Sequence, residues 1–395
     1  MTNPNNRSTE EATLRFRVPE DDLPAPERSV KRNKKTKKKK PNKVVKFWNV
    51  LVGFNKTRKS KAFFYSFNAT LLLGVLAIVF FLYGPIGFFR NTLVTSAMTT
   101  LSHKYFATWF YSEETINDIL SKNKVTALTT TTDTEQIEKK AGSKMKASDI
   151  KVTDISRNGF KGWMMEIPDP SWVRLGVPQQ FGKHGVKLPH LINDYNAVAG
   201  INAGGFTDAN GQGNGGTPVG MVIVDHEIIY NSTNTRHNLI GFNDDDILIL
   251  GKYTTSEIKA MKIRDAVEFT PALIINGDPA EISGNGGWGY APRTAIGQKK
   301  DGTVLFLVID GRSAVSVGAT MRDILNIMLE FNAYNATNLD GGSSSVLMLN
   351  GEVLNHPSGS DSDGQRFLPN AWLVIDPAKY KLPTDRPPYT TRQNN

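Results

Sequence analysis

The sequence predicts an α+β fold: a strand-rich mixed α/β extracellular domain preceded by a single transmembrane helix and a helical stalk. Three observations carry that expectation. Ala62 to Phe89 holds no charged residue and is rich in Phe, Leu, Val and Ile. Behind it, Phe106, Trp109 and Phe110, then Ile116, Ile119 and Leu120, recur at helical spacing. From about Asp149 onward, short apolar runs alternate with Gly, Asn and Asp, the pattern of short strands joined by turns.

The 395 residues therefore divide into a disordered basic cytoplasmic tail (1–61), a transmembrane helix (62–89), a helical stalk and linker (90–148), a folded domain (149–376) and a flexible C-terminal tail (377–395). About 20 apolar residues cross a bilayer as a helix, so 62–89 is long enough, and Pro85 marks its outer end. A signal peptide would have a shorter apolar region and a much shorter basic flank. Positive charge sits before the span: residues 1–62 hold 18 Lys+Arg against 6 Asp+Glu, and the rest hold 29 against 32. The positive-inside rule then puts the N-terminus in the cytoplasm and 91–395 outside a bacterial cell membrane. The run from Lys31 to Lys40 reads as a contact with anionic membrane lipid. A nucleic-acid-binding body would carry its basic surplus on the fold, so the net charge of +9 implies no nucleic-acid partner. There is no cysteine, which excludes disulfides, zinc–cysteine sites, iron–sulfur clusters and thiol nucleophiles.

Within the domain the candidate strands are Trp163–Ile167, Ala197–Asn202, Pro218–Val224, Ile247–Leu250, Ala272–Ile275, Thr303–Ile309, Ser344–Leu349 and Ala371–Ile375. The candidate helices are Leu188–Asn196 and Thr320–Asn332, the second with Met321, Ile324, Leu325, Met328 and Leu329 on one face. Asn350-Gly351 is a two-residue hairpin signal.

Four loop motifs sit at the ends of apolar runs: Asn202-Ala203-Gly204-Gly205-Phe206, Pro292-Arg293-Thr294-Ala295-Ile296-Gly297, Asp310-Gly311-Arg312 and Asn338-Leu339-Asp340-Gly341-Gly342-Ser343-Ser344-Ser345. Glycine lets backbone approach a ligand or take positive φ. Arginine grips phosphate or carboxylate with two parallel hydrogen bonds, and a strand-end carboxylate can act as acid, base or nucleophile. Asp310-Gly311 and Asp340-Gly341 are also ordinary turn dipeptides. The chain has no G-x-x-x-x-G-K-[ST] phosphate loop, and the serine run does not match a G-x-S-x-G elbow. The six histidines lack metal-ligand spacing and read as surface or loop residues. Asp361-Ser362-Asp363-Gly364 starts like a calcium loop without its downstream Glu. Neither a metal nor a cofactor is expected.

Taken in order, the four motifs resemble the phosphodiester glycosidase family, and Arg366-Phe367-Leu368-Pro369-Asn370-Ala371-Trp372 resembles its closing strand. That family includes the enzyme that uncovers mannose 6-phosphate by removing N-acetylglucosamine, and bacterial proteins associated with exopolysaccharide synthesis. The resemblance covers roughly residues 150–376. It departs from the family at His226, where glycine would turn better beside Asp225, and at the doubled Gly204-Gly205. It implies cleavage between an anomeric carbon and a phosphodiester oxygen, with Asp340 as nucleophile or base and Asp310 as its partner. Arg293 and Arg312 would hold phosphate with help from the backbone of Gly341, Gly342, Ser343 and Ser344. Asn202 and Asn338 would bind sugar hydroxyls or orient a carboxylate, beside Gly204 and Gly205. The implied substrate is a glycosyl-phosphate polymer or oligosaccharide of the envelope, and polysaccharide-assembly proteins could be partners. Two alternatives stay open: a membrane-anchored phosphotransferase attaching polymer to the wall, and a non-catalytic polysaccharide-binding or assembly protein.

Overall fold

The computed structural model describes residues 58–100, 104–139, 145–207, 213–231 and 234–381. The expected basic tail as far as Thr57, and the expected C-terminal tail beyond Lys381, lie outside the described residues. The chain divides into two units, residues 1–73 and 74–395, each described by itself. The described part of the first is the start of an apolar helix, Arg58–Tyr83, which continues into the second. Its stretch Lys61–Tyr83 is long and apolar enough to cross a membrane, at roughly 35 Å for 1.5 Å per residue. The helix stops at Tyr83, short of Phe89. Pro85 biases the residue before it away from helical dihedrals.

In the second unit three short helices follow: Gly87–Met98, Tyr105–Thr108 and Glu113–Lys122. Val94, Ala97, Ala107, Ile116 and Ile119 make a small core between them. Ser112 caps the third by accepting from the Thr115 N–H at 3.3 Å. Beyond it, Lys124–Val125 pairs with Ile282–Ser283, Thr132 N–H donates to Leu250 O at 3.0 Å, and Ile137 is buried against the domain. The residues expected as stalk and linker thus pack onto the folded body.

That body is built from antiparallel sheets. A seven-stranded sheet runs Asp278–Pro279, Ala272–Ile275, Ala333–Asn338, Arg293–Lys299, Val304–Ile309, Gly162–Ile167, Lys151–Asp154. One five-stranded sheet is centred on Ile263–Glu268, and another on Ala199–Asn202 flanked by Leu347–Leu349 and Ala371–Val374. The run Val304–Ile309 is apolar throughout because it is buried on both faces. Val304, Phe306 and Val308 pack into the core shared with the other sheets. Leu305, Leu307 and Ile309 pack under helix Met321–Glu330. Thr320 and Asp323 close a reciprocal capping box at that helix's start (3.2 and 2.8 Å). Its buried face carries Ile327 instead of the expected Leu329, which is 40% exposed.

Several strands lie outside the candidates because they carry buried polar side chains. Ile263–Glu268 is buried along its length. Its Asp265 pairs with Arg174 (2.9 Å) and with Arg264 (3.0 Å), and its Glu268 pairs with His237. His237, read as a surface or loop residue, is therefore fully buried. Ala333–Asn338 likewise buries Asn335, Thr337 and Asn338. Two candidates shorten. Pro218–Val224 breaks at Gly220 (φ +78°), and Ser344–Leu349 is strand only over Leu347–Leu349. The Asn350-Gly351 hairpin forms with both residues at positive φ (51° and 85°). Asp225-His226 makes the same kind of turn (53° and 70°).

Candidate active site

Three of the four motifs converge because their backbones are stitched together, and Asp310-Gly311-Arg312 arrives beside them because Val304–Ile309 pairs with Arg293–Lys299. Leu339 N–H donates to Thr294 O at 2.8 Å, Asp340 N–H to Ala203 O at 3.1 Å, and Gly342 N–H to Pro292 O at 2.8 Å. Asn202 sits at the knot. Its Nδ2 donates to Asp340 O at 2.6 Å, while its Oδ1 accepts from Thr294 Oγ1 at 2.8 Å and Val346 N–H at 3.2 Å. Gly341 packs tightly on the second motif, since a Cβ there would lie 2.9 Å from Pro292 O.

A cleft of about 530 Å³ opens over this junction, within the usual range for small-molecule sites. Gly205, Arg293, Arg312, Asp340, Gly341, Gly342, Ser343 and Ser344 line it, together with Arg366 and the aromatics Phe206, Phe269, Trp288 and Tyr290. Asp340 is the one carboxylate among the described lining residues. Burial pushes its carboxyl up to about 6, against the opposing pull of the Ser344 hydroxyl, Arg366, the Gly341 N–H and Arg312.

Arg312 and Arg366 act on this carboxyl, and Arg293 lines the same cleft. Arg293 is buried, its Nε donating to Ala319 O (3.0 Å) and its Nη2 to Trp288 O (2.7 Å) and Gly289 O (2.8 Å). Burial and the nearby charge of Arg312 bring it down to about 9. Among the described residues no carboxylate forms an ion pair with it within 4 Å. Arg312 stands at positive φ (59°), a sparsely populated conformation for a side-chain-bearing residue. It lies so close over Gly342 that a Cβ there would meet its Nη2 at 2.9 Å. Arg366 donates to Ser343 Oγ at 3.0 Å and lies 4.6 Å over the Phe206 ring. Such a concentration of positive charge around a single carboxyl suits an anionic ligand.

The remaining expected residues lie behind the cleft. Asp310 is buried away from it, its Oδ1 accepting from Asn355 Nδ2 (3.1 Å) and His356 N–H (2.9 Å). Asn338 donates to Thr270 O at 2.9 Å, and Gly204 N–H to Asn370 Oδ1 at 2.7 Å. Nor does the serine loop offer all its N–H groups. That of Gly342 is engaged by Pro292 O, and that of Ser344 by Gly341 O. Asp310→Ala will therefore cost about 1–3 kcal/mol of stability by stranding a buried N–H, yet leave turnover within about threefold. Thermal unfolding and steady-state rates on one preparation check both.

Sequence reasoning missed Arg366 as a site residue, and the aromatic wall of Phe269, Trp288 and Tyr290. The cluster Gly286-Gly287-Trp288-Gly289-Tyr290 carried a usable signal, aromatics set among glycines that free the backbone. Ser96, Thr99 and Thr100, which also line the cleft, carried none.

Residues 195–375 match the family model described as phosphodiester glycosidase. The chain is 43% identical over 67 residues to the SPbeta prophage-derived uncharacterized protein YomE of Bacillus subtilis. It is 34% identical over 77 residues to N-acetylglucosamine-1-phosphodiester alpha-N-acetylglucosaminidase of Bos taurus. These matches take in 17% and 20% of this chain and only 10% and 14% of those proteins' lengths. Among solved structures, the zebrafish catalytic domain of the latter enzyme, auto-inhibited by pro-peptide, aligns at 21% identity and TM-score 0.48 over 57% of this chain and 82% of that one. A putative exported protein from Burkholderia pseudomallei aligns at 17% identity and TM-score 0.42, over 55% and 74%.

Proposed function

We propose, from the match of residues 195–375 to the phosphodiester glycosidase family model, that this chain is a membrane-anchored hydrolase of sugar-1-phosphodiester linkages. In this reading the apolar helix spans a bacterial cell membrane with the N-terminus cytoplasmic, and the domain acts outside on envelope or exopolysaccharide polymers. The observation that carries the chemistry is a single cleft holding Asp340 among Arg293, Arg312 and Arg366.

Water attacks the anomeric carbon, with the Asp340 carboxylate taking its proton. The bond from that carbon to the phosphate oxygen breaks, and its electron pair leaves with the phosphate as a phosphomonoester. Phosphate is already a good leaving group, so one carboxylate suffices where ordinary glycosides need two. Arg312 and Arg366, with Arg293 behind them, neutralise the charge that develops on the departing oxygen. The aromatic wall offers faces for the sugar ring, and Asp310 acts at a distance by fixing the 355–356 turn. Incubation with a glycosyl phosphodiester should release free sugar and a phosphomonoester. Transfer of the glycosyl phosphate to an acceptor, or no release, would contradict hydrolysis.

A base must be ionised to work. With the Asp340 carboxyl at about 6, kcat/KM will rise with pH and level off above that value. A rate that falls through the same range would assign Asp340 the opposite role, that of an acid.

A further inference from the structure

The helix that leads away from the apolar span also forms a wall of the cleft. Ser96, Thr99 and Thr100, from helix Gly87–Met98 and its end, face the space beside Arg293, Arg312 and Asp340. The helix is seated firmly. Asn285 Nδ2 donates to Thr95 Oγ1 at 2.8 Å. Phe88 meets the cleft residue Tyr290 edge-on, with ring centroids 6.3 Å apart. The end of the apolar helix is tied down too, Tyr111 Oη donating to Leu82 O at 2.8 Å and Tyr83 Oη to Phe110 O at 2.9 Å. One helix of twelve residues, roughly 18 Å long, therefore links the end of the apolar helix to the site.

The same segment turns aromatic side chains outward: Phe88 is 57% exposed, Trp109 71%, and Phe89, Phe106 and Phe110 are also exposed. Tyr and Trp gather at the level of lipid headgroups beside membrane spans. An apolar helix, an aromatic belt and a wall of the cleft thus follow one another in one short stretch of chain; with the helix in a bilayer, that order sets the cleft near its surface. Resting on the anchored-glycosidase reading, we propose that the substrate is itself membrane-borne: a glycosyl phosphodiester whose leaving phosphate is esterified to a lipid alcohol. Water adds to the anomeric carbon and the carbon–oxygen bond breaks. The products are the free sugar end and a lipid phosphomonoester that stays in the leaflet.

The test uses the full chain reconstituted in phosphatidylglycerol–phosphatidylcholine vesicles. Two probes are compared, an N-acetylglucosaminyl phosphodiester of a long-chain isoprenoid alcohol in the same vesicles and its water-soluble methyl analogue. Confinement to one surface should raise kcat/KM for the lipid probe about tenfold or more over the soluble one. The exposed double variant Phe106→Ser with Trp109→Ser should lose most of that advantage and leave the soluble rate unchanged. Equal rates on both probes, or a variant that keeps the full advantage, would overturn the membrane-borne substrate while leaving the glycosidase intact. Turnover of neither probe would overturn both.

Discussion

Asp340→Asn will abolish most turnover, by about 10²–10⁴-fold, and will not lower the melting temperature at neutral pH. The two halves come from one fact. Burial holds the Asp340 carboxyl at about 6 in the fold, against about 3.9 when unfolded. Between those values the folded state keeps a proton that the unfolded state has released, so stability falls as pH rises through the window. Above it the cost of the buried charge is fully present, and below about 3.9 it vanishes. A neutral amide of the same shape escapes that cost. The variant should match or exceed the parent in thermal unfolding at about pH 7.5, with the difference closing toward pH 4. A variant that is inactive because it is unfolded would show the reverse.

The second large effect belongs to Arg312. Arg312→Ala will lower kcat by about 10²–10³-fold, the loss typical of a preorganised group facing developing negative charge. Its guanidinium reaches the cleft because the backbone holds Arg312 at φ 59° beside Gly342, itself at φ 62°. Arg312→Lys should recover little, since a compact ammonium on a flexible stem cannot reproduce the planar fork. Steady-state kinetics should show the loss mainly in kcat, because the interaction strengthens as the bond breaks. A loss confined to KM would make Arg312 a ground-state anchor.

The site was legible in the sequence as far as its backbone is special. Asp340, Gly341 and Gly342 follow a strand whose end turns at the edge of the cleft, and Arg293 and Arg312 stand beside other strand ends. Each therefore announces itself by a glycine or a charge after an apolar run. Asp310 has the same local signature, yet its carboxylate points behind the cleft into the 355–356 turn. Sequence places a residue at a strand's end but not on a side of the sheet's edge. Arg366 hides in a polar loop and reaches the site only because that chain passes Ser343 and Phe206. The strands Ile263–Glu268 and Ala333–Asn338 escaped for the converse reason. Their buried Asp265, Glu268, Asn335 and Asn338 find partners inside, and a polar residue satisfied in the core looks in sequence like one facing water.

The most direct test of the chemistry is the fate of oxygen from water. A glycosyl phosphodiester is hydrolysed in ¹⁸O-labelled water, and the phosphomonoester product is read by the isotope shift of its phosphorus resonance. Attack at the anomeric carbon, with the Asp340 carboxylate as base and the arginines on the departing phosphate, leaves that phosphate unlabelled. Label on phosphorus would mean that the phosphorus–oxygen bond had broken, and would contradict a glycosidase at this cleft.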